Sequence, residues 1–188
     1  MMRIVGGSLS GRKIAPPLSR TTRPMMDRVR EALFNILAHH EWGKDIGDLF
    51  EEDVDVLDAF CGTGALAFEA LSWGAGRATL FDKDVEALAV ARQNAVSLEL
   101  TDRCTILSGD STRPPKAFRT HKLVFFSPPY RKGLIPPSFR ALDAAGWIAP
   151  HAVIVAETAR NEAFDPLPGC TLAVCRKYGE AVLHIMTR

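Results

Sequence analysis

The sequence predicts an α/β fold in which a mostly parallel sheet of seven strands carries helices on both faces. From residue 54 onward, short apolar runs alternate with segments of helical periodicity, a pattern typical of parallel strands joined by crossover helices. Two last β-like runs flank Tyr178 and Gly179, which indicates an antiparallel carboxyl-terminal hairpin. With 188 residues, of which 47% are apolar, the chain is long enough to bury a core as one domain.

The elements follow from periodicity and from turn residues. Apolar runs predict strands at residues 54–57, 78–81, 104–107, 122–126, 152–156, 171–176 and 181–186. Helical spacing predicts helices at about 25–40, from 65 through at least 71, at about 85–98, and in a segment that contains Phe139, Leu142 and Trp147. Ahead of the sheet, residues 3–5 and 12–14 lie around three glycines and predict a small β-ribbon.

The formal net charge of +1 conceals a basic amino-terminal arm. The first 30 residues contain seven basic side chains and one acidic side chain, whereas acidic residues outnumber basic ones in the remainder. A basic arm of this kind suits a polyanion such as nucleic acid, although a solvated surface ribbon would have the same composition.

Composition also excludes several classes of protein. No apolar run reaches the length of a membrane span, and the first 30 residues lack the apolar segment of a signal peptide, so we expect a cytoplasmic protein with no membrane partner. The four cysteines show no paired or CxxC spacing, which argues against a disulfide framework or a zinc site. The five histidines show no ligand spacing, so we expect no metal, and we expect these histidines at the surface or at strand edges.

The stretch from Val54 to Ala67 predicts a strand, a tight turn and the start of a helix. Asp58 follows the strand, and Gly62 and Gly64 allow a turn whose backbone N–H groups face a ligand. A crevice for a small molecule forms at such a junction. The glycine pattern alone is also found in ordinary strand-to-helix connections.

Acidic residues follow three successive predicted strands, at Asp58, Asp82 and Asp110. Asp82 comes about 20 residues after the glycine turn, where a carboxylate can accept hydrogen bonds from both ribose hydroxyls of an adenosine cofactor. Asp110 lies where it can meet the adenine. Single acids at such positions also cap turns, as Asp84 could cap a helix, but three together favour a nucleoside ligand.

The residues Ser127, Pro128, Pro129 and Tyr130 directly follow the apolar strand KLVFF. Two prolines hold the backbone extended and remove two N–H donors, so the neighbouring carbonyl groups remain available as acceptors. A hydroxyl oxygen, a fixed carbonyl and an aromatic ring match the requirements of a flat base with an exocyclic amine, because the amine donates two hydrogen bonds while the ring stacks. A rigid turn with an exposed tyrosine is the structural alternative.

These motifs resemble a known family. DAFCGTG, FDKD, GDS and SPPY at successive strand ends are similar to the motifs of class I S-adenosylmethionine-dependent methyltransferases that modify the amino groups of bases. RIVGGSLSGRKI, TRPMMDRVREALFNIL and the terminal RKYGEAVLHI resemble the bacterial RsmD-type methyltransferases, which methylate guanine N2 in 16S ribosomal RNA. The resemblance implies a Rossmann-like fold, S-adenosylmethionine as the cofactor, and 16S ribosomal RNA or a small-subunit assembly particle as the partner.

The resemblance also implies roles for individual residues. Asp58, Phe60, Gly62 and Gly64 would hold the methionine end of the cofactor, Asp82 its ribose and Asp110 its adenine, while Arg23 and Asp27 would close over it. Ser127, Pro128, Pro129 and Tyr130 would form the catalytic corner that receives a base turned out of its stack. The RNA would be bound by basic side chains of the arm and of the corner, namely Arg3, Arg12, Lys13, Arg20, Arg28, Arg30, Arg131 and Lys132.

We expect one domain and a monomer, with residues 1–40 facing RNA and residues 54–188 forming the catalytic core. The family usually has Asp or Asn where this chain has Ser127, and small hydroxyl residues where it has Met25 and Met26. Three alternatives remain open: methylation of cytosine N4 or adenine N6, a dehydrogenase that binds NAD through Gly62, Gly64, Ala67 and Asp82, and an RNA-binding assembly protein without catalytic activity.

Overall fold

A computed structural model of the chain describes residues 2–17 and 25–188. Numbered in chain order, its strands are β1 (Met2–Arg3), β2 (Lys13–Ile14), β3 (Asp55–Asp58), β4 (Arg77–Asp82), β5 (Cys104–Ser108), β6 (His121–Phe126), β7 (Ile148–Ala159), β8 (Thr171–Tyr178) and β9 (Ala181–Thr187). The α-helices are α1 (Asp27–His39), α2 (Ala65–Trp73), α3 (Val85–Ser97) and α4 (Ile135–Ala144). None of the described helices is both long and apolar enough to cross a bilayer.

The predicted sheet is confirmed. Its strands lie in the order β5-β4-β3-β6-β7-β9-β8, and all neighbours from β5 to β7 are parallel. The last two strands pair antiparallel, as the sequence predicts, and β9 inserts between β7 and β8. The strand order reverses at β3, which is the point where open α/β sheets bind ligands beyond the carboxyl ends of their strands.

Two hydrophobic clusters cover the two faces of this sheet. Along β3, Val56 packs in the cluster that contains α1, α2 and α3, whereas its neighbour Leu57 packs in the cluster that contains α4. Successive side chains of a strand point to opposite faces, so a run that is apolar on both faces identifies a strand buried between helices.

The amino-terminal ribbon is short and packs tightly on α2. β1 and β2 pair antiparallel, and between them residues Gly7–Leu9 form a turn of 3₁₀ helix. A Cβ atom on Gly7 would approach the Ser72 carbonyl oxygen to 2.0 Å, and Gly7 has a φ of +71°. Glycine at this position therefore lets the ribbon backbone contact the helix backbone.

His121 differs from the prediction that the histidines lie at the surface or at strand edges. Its side chain is fully buried and stacks on Trp147, with the ring centroids 5.5 Å apart. Its Nδ1 lies 2.9 Å from the Trp147 carbonyl oxygen and its Nε2 lies 2.9 Å from Thr79 Oγ1. With both nitrogens satisfied, this imidazole is a structural part of the core.

Candidate active site

A cavity of about 610 Å³ opens at the carboxyl ends of β3, β4, β5 and β6. Five of the residues predicted to bind the cofactor line it: Asp58, Phe60, Gly62, Asp82 and Asp110. The parallel sheet brings them together because it aligns the ends of its strands along one edge. The volume of the cavity lies within the range of roughly 300–1,000 Å³ that is usual for small-molecule sites.

Gly64 supports the cavity without lining it. It caps the start of α2 with a φ of +88°, and a Cβ atom there would lie 2.4 Å from the Phe68 ring. Gly62 also has a positive φ, of +51°, but a Cβ atom on it would meet nothing within 4 Å. Gly62 therefore borders open space at the cavity, and Gly64 provides the close packing that positions the turn.

Asp82 connects two loops of the cavity. Its Oδ2 accepts a hydrogen bond of 2.8 Å from the Gly62 backbone N–H, and its Oδ1 accepts one of 3.0 Å from the Asp84 N–H. Asp84 caps α3, since its Oδ1 accepts hydrogen bonds from the N–H groups of Glu86 and Ala87. The Asp82 carboxylate is therefore held in a fixed orientation at the cavity wall.

Asp58 is a buried acid whose Oδ1 atom has no hydrogen-bond partner among the described residues. Burial, and then the nearby charge of Asp82, raise the pKa of Asp58 from 3.8 to about 7. A carboxylate in this environment is stabilised by a cation or by hydrogen-bond donors. Asp58 is therefore a candidate acceptor for a positively charged ligand group.

Asp110 lies at the exposed rim of the cavity. Its Oδ1 accepts hydrogen bonds of 2.7 Å from the Thr112 hydroxyl and 2.8 Å from the Thr112 N–H. The Thr112 side-chain hydrogen bond, followed by the backbone one, lowers the pKa of Asp110, so this carboxylate stays ionised at neutral pH. It caps the turn after β5, and its exposed position leaves it accessible to a ligand.

The amino-terminal segment contributes to the cavity wall through Met2, Pro17 and Met25. Asn94 of α3 holds it there, since Asn94 Oδ1 accepts from the Ala15 N–H at 2.8 Å and Asn94 Nδ2 donates to the Thr63 carbonyl at 3.0 Å. One side chain thus joins the end of the ribbon to the glycine turn. Arg23, which was predicted to bind the cofactor, and Arg20, which was predicted to bind RNA, lie outside the described residues.

Asp27 is not among the described residues that line the cavity, and its closing over the cofactor stays a prediction. Its Oδ1 is 2.9 Å from Arg30 Nη2, and its Oδ2 is 3.8 Å from Arg3 Nε. Asp27 therefore orients the guanidinium groups at the start of α1.

Arg30 corrects the prediction that it binds RNA, because its side chain is fully buried. Its Nε donates to Glu69 Oε2 at 3.1 Å, and its Nη2 donates to the Arg3 carbonyl. Glu69, also fully buried, accepts further hydrogen bonds from the Val5 and Gly6 N–H groups. This guanidinium joins α1, α2 and the ribbon, so it cannot reach a phosphate in solution.

The SPPY corner separates the first cavity from a second cavity of about 320 Å³. Ser127 lines the first cavity, Pro128 and Tyr130 line the second, and Pro129 lines both. A base in the second cavity would thus meet the cofactor cavity at this corner, where the sequence predicts it.

Glu157 is a candidate site residue that sequence reasoning missed. It lies in β7, is 5% exposed and lines the second cavity. The Ser127 hydroxyl donates to its Oε2 and the Tyr130 hydroxyl donates to its Oε1. The available signal was a charged residue within the apolar strand AVIVAETA, since a buried acid without an evident partner marks a site.

The other predicted RNA contacts are exposed. Arg3, Arg12, Lys13 and Arg28 lie on the ribbon and at the start of α1, and Arg131 and Lys132 follow the SPPY corner. Lys132 also lines the first cavity. Arg12 has a partner, because its Nη2 donates to the Ser97 carbonyl and is 3.5 Å from Glu99 Oε1.

These features fit S-adenosylmethionine. The buried Asp58 oxygen without a partner suits the α-ammonium group of its methionine end, and the oriented Asp82 carboxylate suits a ribose diol. The open space at Gly62 leaves room for the ligand beside the turn. Fold and site together define a Rossmann-like class I methyltransferase.

Comparison with known proteins identifies the family. The family described as conserved hypothetical protein 95 matches residues 2–187. Ribosomal RNA small subunit methyltransferase D of Escherichia coli is 34% identical over 167 residues, which cover 89% of this chain and 79% of that protein. The chain therefore belongs to the RsmD-type methyltransferase family, and S-adenosylmethionine is its cofactor.

Solved structures agree with this fold. That of yhhF from Escherichia coli is 32% identical, with a TM-score of 0.81 that covers all of this chain and 97% of that one. An RNA methyltransferase from Salinibacter ruber, solved with S-adenosyl-L-homocysteine, shares the fold at 16% identity and a TM-score of 0.64, covering 88% of this chain and 93% of that one. Family membership sets aside the dehydrogenase alternative.

Proposed function

We propose that this protein methylates the exocyclic N2 amine of a guanine in 16S ribosomal RNA, as free RNA or in a small-subunit assembly particle. The observation that carries the proposal is the SPPY corner, which forms part of the wall of both the cofactor cavity and a second cavity large enough for a base. The named relative from Escherichia coli supports ribosomal RNA as the substrate class.

The reaction requires that an unreactive amine be held in place. S-adenosylmethionine supplies, when bound, an electrophilic methyl carbon on a positively charged sulfur. The lone pair of guanine N2 is delocalised into the ring, so hydrogen bonds from its two hydrogens to Ser127 Oγ and the Pro128 carbonyl would favour a more pyramidal nitrogen. Tyr130 would stack on the base. The methylated nitrogen carries a positive charge, so it releases its proton to solvent water without a dedicated base.

Ser127 can serve as an acceptor because of its own hydrogen bond. Its hydroxyl donates to Glu157, so its lone pairs remain available to the amine. A serine is shorter than the Asp or Asn common in the family. The Pro128 carbonyl, which faces no competing N–H from the next residue, would provide the second acceptor.

The basic arm would bind RNA phosphates through the exposed residues Arg3, Arg12, Lys13 and Arg28, assisted by Arg131 and Lys132, which directly follow the SPPY corner. Residues 1–40 would form the RNA-facing part, and residues 54–188 the catalytic core. That the protein is a cytoplasmic monomer and needs no metal remains a prediction.

The test is methyl transfer from labelled S-adenosylmethionine to 16S RNA and to small-subunit particles from a strain that lacks the modification, followed by mass spectrometry of the nucleosides. We expect N2-methylguanosine. N4-methylcytidine or N6-methyladenosine would overturn the target base, and no transfer to either substrate would favour an assembly protein without activity.

Matched variants separate the corner from the fold in the same assay. Tyr130→Ala is expected to lower the rate by about 10- to 100-fold, since a stacked base is worth about 1–3 kcal/mol. Tyr178→Ala, which removes the other tyrosine of the chain from β8, controls for the lost aromatic ring. Lys13→Glu is expected to weaken RNA binding. The slope of the logarithm of the binding constant against the logarithm of the salt concentration should become shallower by about one.

A further inference from the structure

Glu157 is a buried carboxylate whose hydrogen-bond partners among the described residues are neutral hydroxyl groups. It is 5% exposed, and its two oxygens accept from Ser127 and Tyr130. An ionised carboxylate that is removed from water is stabilised only when its acceptor sites are filled. The two hydroxyl donors hold Glu157 in one orientation, and residues 2–17 and 25–188 supply no further donor to its remaining lone pairs.

Glu157 lines the second cavity, so its remaining lone pairs are available to a ligand there. A carboxylate has about four lone-pair sites and can accept two parallel donors. Because Glu157 lies next to Ser127, a base whose amine reaches Ser127 Oγ would bring the neighbouring position of its Watson–Crick edge to Glu157. The group at that position decides whether the contact is favourable.

The bases differ at that position. In guanine the ring nitrogen beside the amine, N1, carries a hydrogen, whereas adenine N1 and cytosine N3, the ring nitrogens beside their amines, carry lone pairs. A carboxylate attracts the N1–H group of guanine and repels the lone pairs of adenine N1 and cytosine N3. A flipped base is read by hydrogen bonds of this kind to its Watson–Crick edge.

We propose that Glu157 is the residue that selects guanine, by accepting a hydrogen bond from guanine N1–H while Ser127 and Pro128 accept from N2. This inference rests on the proposed function, because it specifies how that site recognises its base. It also gives the serine at position 127 a role, since a small side chain leaves the Glu157 carboxylate beside the amine site.

The test compares Glu157→Gln with the wild-type enzyme on two RNAs that both contain the target amine. After the modified nucleotide is mapped, 16S RNA is prepared by splint ligation with either guanine or 2-aminopurine at that position. 2-Aminopurine keeps the N2 amine but has a lone pair at N1. Taking the ratio of the two rates for each enzyme, and then comparing the ratios, cancels the intrinsic reactivity of the two amines.

We expect wild-type enzyme to prefer guanine, and Glu157→Gln to lower the guanine to 2-aminopurine ratio by at least about 10-fold, because the amide can donate to N1 of 2-aminopurine. Cofactor affinity should stay unchanged. Glu180→Gln, in the exposed turn between β8 and β9, is the matched control and should keep the wild-type ratio.

The outcomes separate the two proposals. If wild-type enzyme methylates another base, the proposed function fails. If it methylates guanine but the ratio is the same in Glu157→Gln, Glu157 does not read N1 and this inference alone fails. Should Glu157→Gln not fold, wild-type enzyme is tested on RNA with 1-methylguanine at the target, and an undiminished rate would overturn the inference.

Discussion

Two buried carboxylates, Glu69 of α2 and Asp58 at the end of β3, show how their surroundings distinguish a structural acid from a ligand-binding acid. Glu69 accepts from Arg30, from Trp73 Nε1 and from two backbone N–H groups of the ribbon. Asp58 has an oxygen without a described partner, and the charge of another acid, Asp82, acts on it unfavourably. Burial raises the pKa of both groups.

The difference lies in what completes each site. At Glu69, Arg30 supplies the opposite charge from within the chain, and the pair ties the amino-terminal ribbon and α1 to the core. At Asp58, burial and then the like charge of Asp82 make the ionised carboxylate unfavourable, so a bound cation would stabilise it. A buried acid whose acceptor atoms are filled from within the chain therefore stabilises the fold, whereas one with an oxygen that has no described partner is a candidate for binding a ligand.

The largest expected effect is on folding. Arg30→Ala leaves the Glu69 charge buried and uncompensated, so we expect the free energy of unfolding to fall by about 3–5 kcal/mol. Urea unfolding at pH 8 measures it. Glu31→Ala, at an exposed position of the same helix, is the control and should change stability by less than about 0.5 kcal/mol. If Arg30→Ala lowers the free energy of unfolding by less than about 1 kcal/mol, the Arg30–Glu69 pair contributes no more than an ordinary surface pair. The proposed difference between Glu69 and Asp58 would then be wrong.

The next effect is on cofactor binding. Asp58→Asn removes the charge that would receive the ligand ammonium group, so the dissociation constant for S-adenosylmethionine should rise by roughly 10- to 100-fold. The fold should be kept or stabilised, because an unfavourable buried charge is lost. Isothermal titration calorimetry measures the affinity, and Asp53→Asn, an exposed acid before β3, controls for the lost charge. Unchanged affinity would mean that Asp58 does not bind the cofactor and has only a structural role.

The last effect is the pH dependence of stability without ligand, which is modest over any single pH unit. The folded-state pKa of Asp58, about 7, lies above its ordinary value of 3.8, so between these values the folded state binds more protons than the unfolded state. Stability from this group is present at low pH and is lost as pH rises toward 7, by at most about 1.4 kcal/mol per pH unit.

Subtracting the Asp58→Asn curve from the wild-type curve isolates this contribution from those of the other acids. Between pH 4 and pH 7, the free energy of unfolding of the wild type should fall steadily relative to that of Asp58→Asn. Above pH 7 the difference should become constant. A flat difference would mean that Asp58 titrates normally and that its burial costs nothing.

The acids at the ends of β3, β4 and β5 were predictable because parallel strands end at one edge of the sheet, so position along the chain determines position in space. Arg30 was not. It belongs to a run of basic residues that composition alone assigns to the surface, and its burial depends on Glu69, 39 residues further along the chain. Glu157 was missed for the same reason, since its partners come from the corner that follows β6.

The sequence by itself determined the order of strands and helices, the glycine turn, the acids at the strand ends and the diproline corner, because local periodicity and backbone chemistry specify them. Only the tertiary structure decided which charged side chains are buried and which face ligands. That outcome depends on contacts between residues far apart in the chain, where the cost of removing a charge from water is offset by partners that no local pattern reveals.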